Sequence, residues 1–398
     1  LNQPATLSSA LPVGRSIAGP GLILLALAMG GFSIGTTEFA TMSLLPQFAP
    51  ALGVDEPMAG HVISAYALGV VVGAPLIAVL GARLPRRSLL VGLMAVFALG
   101  NGLSALAPDY GWMLAFRVLS GLPHGAFFGV GALVAASLVP RERRAQAVSR
   151  MMLGLTLATV VGVPLANGIG QLLGWRWGFG LVALLATATA ALLLAFVPHE
   201  PGDRNASPLR ELGALRRPQV WLALGTGAIG FGGLFAVYTY LATTLVEVTG
   251  VSPAMVPPAL AVLGIGLTLG NLACAWAADR AQMPAAALTL LFAAVMLALY
   301  GWAAQNLWTL LPVLLLIGMG GGLGAILQTR LMDVAGDAQT LAAALNHSAF
   351  NTANALGPWL GGLAISAGYG WTSTGWVGAG LALGGLAIWM VSWRLDRR

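Results

Sequence analysis

Lysine is absent from this chain, and charge of either sign is scarce. Only 8% of its 398 residues are charged, against about a quarter in water-soluble proteins. The deficit runs the whole length, which excludes a soluble domain carrying one membrane anchor. The single cysteine, Cys274, excludes an intramolecular disulfide. The four histidines and that cysteine never stand at ligand spacing within one helix, and no carboxylate pair completes a set, so no metal site is expected. No nucleophile–base constellation and no phosphate-binding glycine loop appears, and the longest polar segment is too short for a nucleotide-binding domain. Neither an enzyme nor a cofactor is indicated.

What is present is apolar. Hydrophobic residues make up 58% of the chain and the mean hydropathy is +0.85, more apolar surface than so few charges could cover in water. Runs long enough to cross a bilayer, about 20 residues each, recur twelve times: at 19–45, 57–80, 88–107, 111–138, 148–173, 177–197, 220–247, 255–278, 285–304, 308–330, 341–367 and 375–393. They are too long for β-barrel strands and lack alternating polarity. The first run exceeds a signal-peptide core and contains Glu38, so it reads as span 1.

The isoelectric point near 10.2 comes from arginine alone. These arginines sit in short loops between apolar runs rather than along one folded face, which points to membrane topology and away from nucleic acid. Positive residues near span ends stay on the cytoplasmic side. With both termini in the cytoplasm, all 19 arginines except Arg117 and Arg176 fall on that side. The opposite loops carry Asp55, Glu56 and Asp109.

The longest polar segment, His199 to Gln219, lies at the midpoint and reads as a linker. A shift of about 196 residues brings Gly121 onto Gly318, Gly125 onto Gly322, the GVP at 162–164 near the GP at Gly357 and Pro358, and Gly-Trp at Trp175 onto Gly-Trp at Trp371. This internal repeat predicts an all-α membrane protein: twelve transmembrane helices in two pseudo-symmetric six-helix bundles, 1–198 and 220–398, joined by a cytoplasmic linker at 199–219. A cavity between such bundles is opened to either side by rocking.

Four segments carry a family resemblance: GTTEFATMSLLP at 35–46, RVLSGLPHGAFFG at 117–129, GLTLATVVGVPLANGIGQLLGWRWGF at 154–179 and NHSAFNTANALGPWLGG at 346–362. The chain resembles the major facilitator superfamily over essentially its whole length, and within it the twelve-span drug:proton antiporters, especially the bacterial arabinose-efflux-permease-like branch. The loop after span 2 departs from the family pattern, with Ala82 and Pro85 where an aspartate and a glycine are expected. Arg83, Arg86 and Arg87 remain, and the second copy keeps Asp279 and Arg280. The resemblance implies a bacterial inner-membrane, multi-pass, monomeric secondary transporter whose partners are protons, a small hydrophobic or cationic molecule and the lipid bilayer. Export by proton antiport is the first reading; an uptake symporter of the same fold is the alternative.

Particular residues acquire expected roles. Gly121, Gly125 and Gly129 recur every fourth residue and would form a smooth packing ridge on span 4. In span 5, Gly162 and Pro164 combine a thin helix with a lost backbone hydrogen bond, as a packing kink or a gate requires, and Gly357 and Pro358 repeat this in span 11. Glu38 and Arg117 lie at a common depth, about 10 Å below the outer surface at 1.5 Å per residue, and are placed to meet. An ionised group inside a bilayer is costly unless paired or hydrated, so this pair reads as proton-coupling or as a static structural bridge. His124, two turns after Arg117, is either a relay or a packing residue. By resemblance to the family architecture, spans 1, 4, 7 and 10 line the cavity, where Phe32, Phe39, Phe231, Phe235, Tyr238 and Tyr240 could stack on a flat or cationic ligand. Asn346, His347, Asn351 and Asn354 form a polar stripe on span 11.

Overall fold

The computed structural model describes residues 19–81, 83–140, 143–199, 201, 215–335 and 339–396. The chain is helical throughout these segments, with twelve spans. Spans 1 to 6 are Pro20–Ser43, His61–Gly81 led by the turn Glu56–Ala59, Arg86–Ala105, Tyr110–Gly121 continued as His124–Ser137, Arg144–Leu157 continued as Val163–Leu173, and Trp175–Phe196. Span 7 is Pro218–Gly230 continued as Gly232–Thr243. Spans 8 and 9 share Val256–Ala303, span 10 is Leu307–Gly320 with Leu323–Ala335, span 11 is Gln339–Ala364 and span 12 is Ser373–Asp396.

The break expected between 278 and 285 is a sharp kink at Ala281, which leaves helical geometry at φ −156° and ψ 73° and separates span 8 from span 9 ahead of Pro284. In span 5 the expected kink takes the form of a wide π-helical turn, Ala158–Gly162, just before Pro164. Such a turn accommodates the missing N–H without breaking the helix. Most of the expected linker, 199–219, lies outside the described residues.

The repeat is visible in the turns. Asp55 and Ser252 cap the helical turns that lead into spans 2 and 8, accepting from the Met58 and Ala254 N–H groups, and Asp109 and Asn306 cap spans 4 and 10. Both pairs stand one repeat apart. Gly53 and Gly250, also one repeat apart, take left-handed φ values of 70° and 71°, a conformation that costs little only without a Cβ.

Span 4 packs on span 2 through glycine on both sides. A methyl added at Gly121 would overlap the Tyr66 carbonyl, and one at Gly69 the Val118 carbonyl; Gly318 and Gly266 repeat the arrangement between spans 10 and 8. Gly125 meets Ala74. Gly129 is a correction to the expected ridge: open space surrounds its Cβ position, so the close-packed stripe ends at Gly125. Gly121→Leu and Gly318→Leu should each lower folded yield, the overpacking costing about 1–3 kcal/mol or more, whereas Gly129→Leu should not. Size-exclusion chromatography of detergent-extracted variants checks this.

The two bundles meet along several seams. Span 2 lies on span 11, where Ser64 Oγ donates to the Ala355 carbonyl at 3.0 Å. Span 5 lies on span 8, with Gly264 against the Thr159 carbonyl, and span 1 lies on span 7. At the end bearing Asp55 and Asp109, Thr243 donates to the Glu56 carboxylate and Gln171 donates to the Pro253 carbonyl at 2.9 Å, both across the seam. At the arginine end the corresponding contacts among the described residues each stay within one bundle: Arg87 to the Leu194 carbonyl, Arg217 to the Val334 carbonyl, and Arg330 to Asp396 at 2.8 Å. The carboxylate end is thus the laced one.

Candidate functional site

Midway between these ends the seam is polar. Glu38 is 8% exposed, on the face of span 1 that looks toward span 11, and its Oε1 accepts from Asn354 Nδ2 at 3.3 Å. This hydrogen bond joins one bundle to the other.

Glu38 and Arg117 do not pair as expected. Among the described residues the ion pair formed is Arg330–Asp396. Arg117, fully buried, instead donates from Nη1 to Thr37 Oγ1 at 3.2 Å and to Asn101 Oδ1 at 3.3 Å. Its guanidinium lies 4.4 Å from the Tyr66 ring centroid and 5.4 Å from that of Phe179. Thr37 itself donates to Asn101 Oδ1 at 2.6 Å. Arg117 therefore reaches span 1 one residue away from Glu38, which is about 100° around the helix. Equal depth was legible; rotation about the axis was not.

A second group lies beside it. Tyr66 Oη and His124 Nδ1 are 2.9 Å apart, both buried. The His124 ring centroid is 5.9 Å from that of His347, on the other bundle, and Phe128 stacks on His347 at 5.0 Å with planes 4° apart. A histidine from each bundle thus meets at the seam, and both rings have an aromatic neighbour.

The expected aromatic residues divide into two sets. Phe39 of span 1 lies between Phe235 and Tyr238 of span 7, at 6.0 and 5.1 Å, and Phe231 meets Phe350 edge-on at 4.6 Å. Phe32 packs beside Gly162 of span 5. Tyr240 stands apart from these: its Oη donates to the Pro358 carbonyl at 2.9 Å and it packs beside Gly361, Gly362 and, across the seam, Gly60. Gly357 lies against the Gly232 carbonyl, so span 11 approaches span 7 as closely as span 5 approaches span 1.

On span 11, Asn346 donates to Gln328 Oε1 at 2.6 Å and Asn351 to the His347 carbonyl at 3.0 Å. The Oδ1 atoms of Asn346, Asn351 and Asn354 and the hydroxyls of Ser348 and Tyr238 are buried without partners. Unmet polar atoms at this density are unusual in a packed interior. Asp279 and Arg280 are exposed at the arginine end, Arg280 lying 3.7 Å over the Trp276 ring one turn back, and Arg83 is also exposed. Tyr66, Thr37, Asn101 and Phe128 were missed in the sequence. Asn101 carried the available signal, a polar residue within an apolar span.

The arrangement of a twofold-repeated helical bundle with a polar seam has known counterparts. Residues 27–340 match the Major Facilitator Superfamily. The chain belongs to that superfamily. It is 42% identical over 371 residues to the inner membrane transport protein YdhP of Escherichia coli, covering 92% of this chain and 94% of that one. It is 35% identical over 349 residues to a chloramphenicol resistance protein of Streptomyces lividans, covering 85% and 87%. A bacterial homologue of the human lysosomal transporter Spinster, solved inward-facing and unoccupied, shares the fold with a TM-score of 0.72 at 18% identity, over 96% of this chain and 98% of that one. As a major facilitator, the chain is a multi-pass membrane transporter and not an enzyme.

Proposed function

We propose that this major facilitator exports small hydrophobic or cationic molecules from the cytoplasm across a bacterial inner membrane by proton antiport, with Glu38 carrying the proton. The observation that carries the reading is the Glu38–Asn354 hydrogen bond at 3.3 Å. It ties an ionisable group buried in the bilayer to the opposite bundle, so rocking the bundles apart changes what the carboxylate touches. A carboxylate that alternates between a buried amide and water exchanges its proton once per cycle. Arg117 and His124 are the coupling neighbours: one holds span 1 through Thr37, the other meets His347 where the bundles part. The rocking units are 1–198 and 220–398, with 199–219 as their tether, and the transporter acts as a monomer.

The substrate is assigned to the Phe39, Phe235 and Tyr238 rings and the unpartnered acceptors of span 11, buried groups that parting of the bundles would uncover. Stacking surfaces beside free acceptors suit a flat molecule bearing donors or positive charge. Resistance, the property for which the Streptomyces relative is named, is what export produces.

Transport into proteoliposomes under an imposed pH gradient, run against a diverse solute panel, tests the reading. Substrate should move opposite to the proton flow; movement with the proton would establish symport instead. Both termini are assigned to the cytoplasm on the arginine distribution. A reporter active only in the periplasm should therefore stay silent at the C-terminus and be active in the loop around Gly53.

A further inference from the structure

At the laced end a crevice of about 610 Å³ lies between the bundles, within the range that takes a drug-sized molecule. It is separate from the Glu38 seam and none of the roles above uses it. Its walls come from both bundles: Gln47, Asn167, Gln171 and Glu56 from one, Thr243 and Glu247 from the other. The hydrogen-bonding account of these groups is one-sided. Gln171 Nε2 donates to Asn167 Oδ1 at 2.8 Å and to the Pro253 carbonyl at 2.9 Å, which uses both of its hydrogens. Asn167 Nδ2 donates to the Ser43 carbonyl at 2.8 Å, and the Thr243 hydroxyl donates to Glu56. Acceptors are in surplus. Gln47 Oε1 is shut off from solvent with no donor, and Glu247, exposed at the rim, has neither a hydrogen bond nor an ion pair among the described residues. Among the described residues no basic side chain lines the crevice. The adjoining Arg176 lies over the Trp175 ring, 4.3 Å from its centroid, with Nη2 donating to the Ala107 carbonyl.

We propose that this crevice is a second binding site, selective for organic cations that bear N–H donors, whose positive charge is held between Glu56 and Glu247 and whose donor meets Gln47 Oε1. A site with two carboxylates and an unmet carbonyl oxygen gains little from a neutral or anionic ligand, since such a ligand leaves those groups unpaired. Because each bundle supplies one carboxylate, the crevice exists in this form only while this end is laced, so an occupant favours that state and leaves when the bundles part. The inference does not rest on Glu38 carrying the proton.

Ethidium, a flat cation with two amino groups, is a suitable probe, its binding to the full-length protein in nanodiscs read by fluorescence anisotropy. Two classes of site are expected in the wild type. Glu247→Gln, at an exposed position with no structural contact to lose, should weaken one class by about tenfold, and Gln47→Leu should weaken the same class. Glu38→Gln should leave that class intact, which separates this site from the coupling group. The proposal is overturned if Glu247→Gln and Gln47→Leu both bind ethidium as the wild type does, or if the only class detected is the one that Glu38→Gln changes.

Discussion

Glu38→Gln should give a protein that folds and binds its ligand but no longer moves it against a gradient. Glutamine keeps the shape of the side chain and an oxygen that accepts from Asn354, so the bond between spans 1 and 11 survives. What is lost is the exchangeable proton. Gradient-driven transport should fall by at least about a hundredfold, or about 2.7 kcal/mol on the coupled step, while passive exchange of substrate down its own gradient persists. Parallel measurement of ligand binding and of proton-driven flux in proteoliposomes separates the two. Retention of full coupling would move the proton to His124, His347 or a loop carboxylate. Loss of cation transport alone, with neutral substrates still coupled, would instead make Glu38 a site of ligand attraction.

The fold was legible because the features that set it are one-dimensional. Span length and the repeat from Gly121 to Gly318 survive projection onto a sequence, and each appears at an equivalent place in the structure. The partners of those glycines, Gly69 and Gly266, carry the same offset. They were passed over because a lone glycine in an apolar span is uninformative until the facing helix is known.

The site was less legible for a geometric reason. Sequence position gives depth along a helix, but contact across a bundle also depends on rotation and on which helix faces which. Glu38 and Arg117 share a depth yet turn to different neighbours, Asn354 and the Thr37–Asn101 pair. His124 and His347 come within 5.9 Å across the seam, although 223 positions separate them in the sequence. The aromatic set shows the same limit: Phe39 does stack with span 7, while Tyr240, two residues beyond Tyr238, serves the closure at Gly60 and Pro358.

Arg117 offers the second large effect, because its burial and its function pull on stability in opposite directions. The guanidinium is wholly buried and stays charged. Among the described residues its Nε has no partner and no carboxylate forms an ion pair with it. Holding an unpaired charge in such a place is costly, and the hydrogen bonds to Thr37 and Asn101 and the contact with the Tyr66 ring offset only part of that cost. Arg117→Met fills similar volume without charge, and Thr37 and Asn101 still bond to each other at 2.6 Å. The variant should therefore fold as well as the wild type, with a midpoint of thermal unfolding in detergent that is unchanged or higher. Its proton-driven transport should nevertheless fall by about tenfold or more, since the cation bonded to span 1 at Thr37, one residue from Glu38, is gone. Arg117→Lys should recover part of that loss, because an ammonium restores the charge but cannot reach Thr37 and the Tyr66 ring with one planar group. If Arg117→Met transports as well as the wild type, the arginine is a structural bridge and the coupling lies wholly with Glu38 and span 11. If it fails to fold, Arg117→Lys decides, since a folded lysine variant without transport still assigns Arg117 to coupling, and one with full transport removes it.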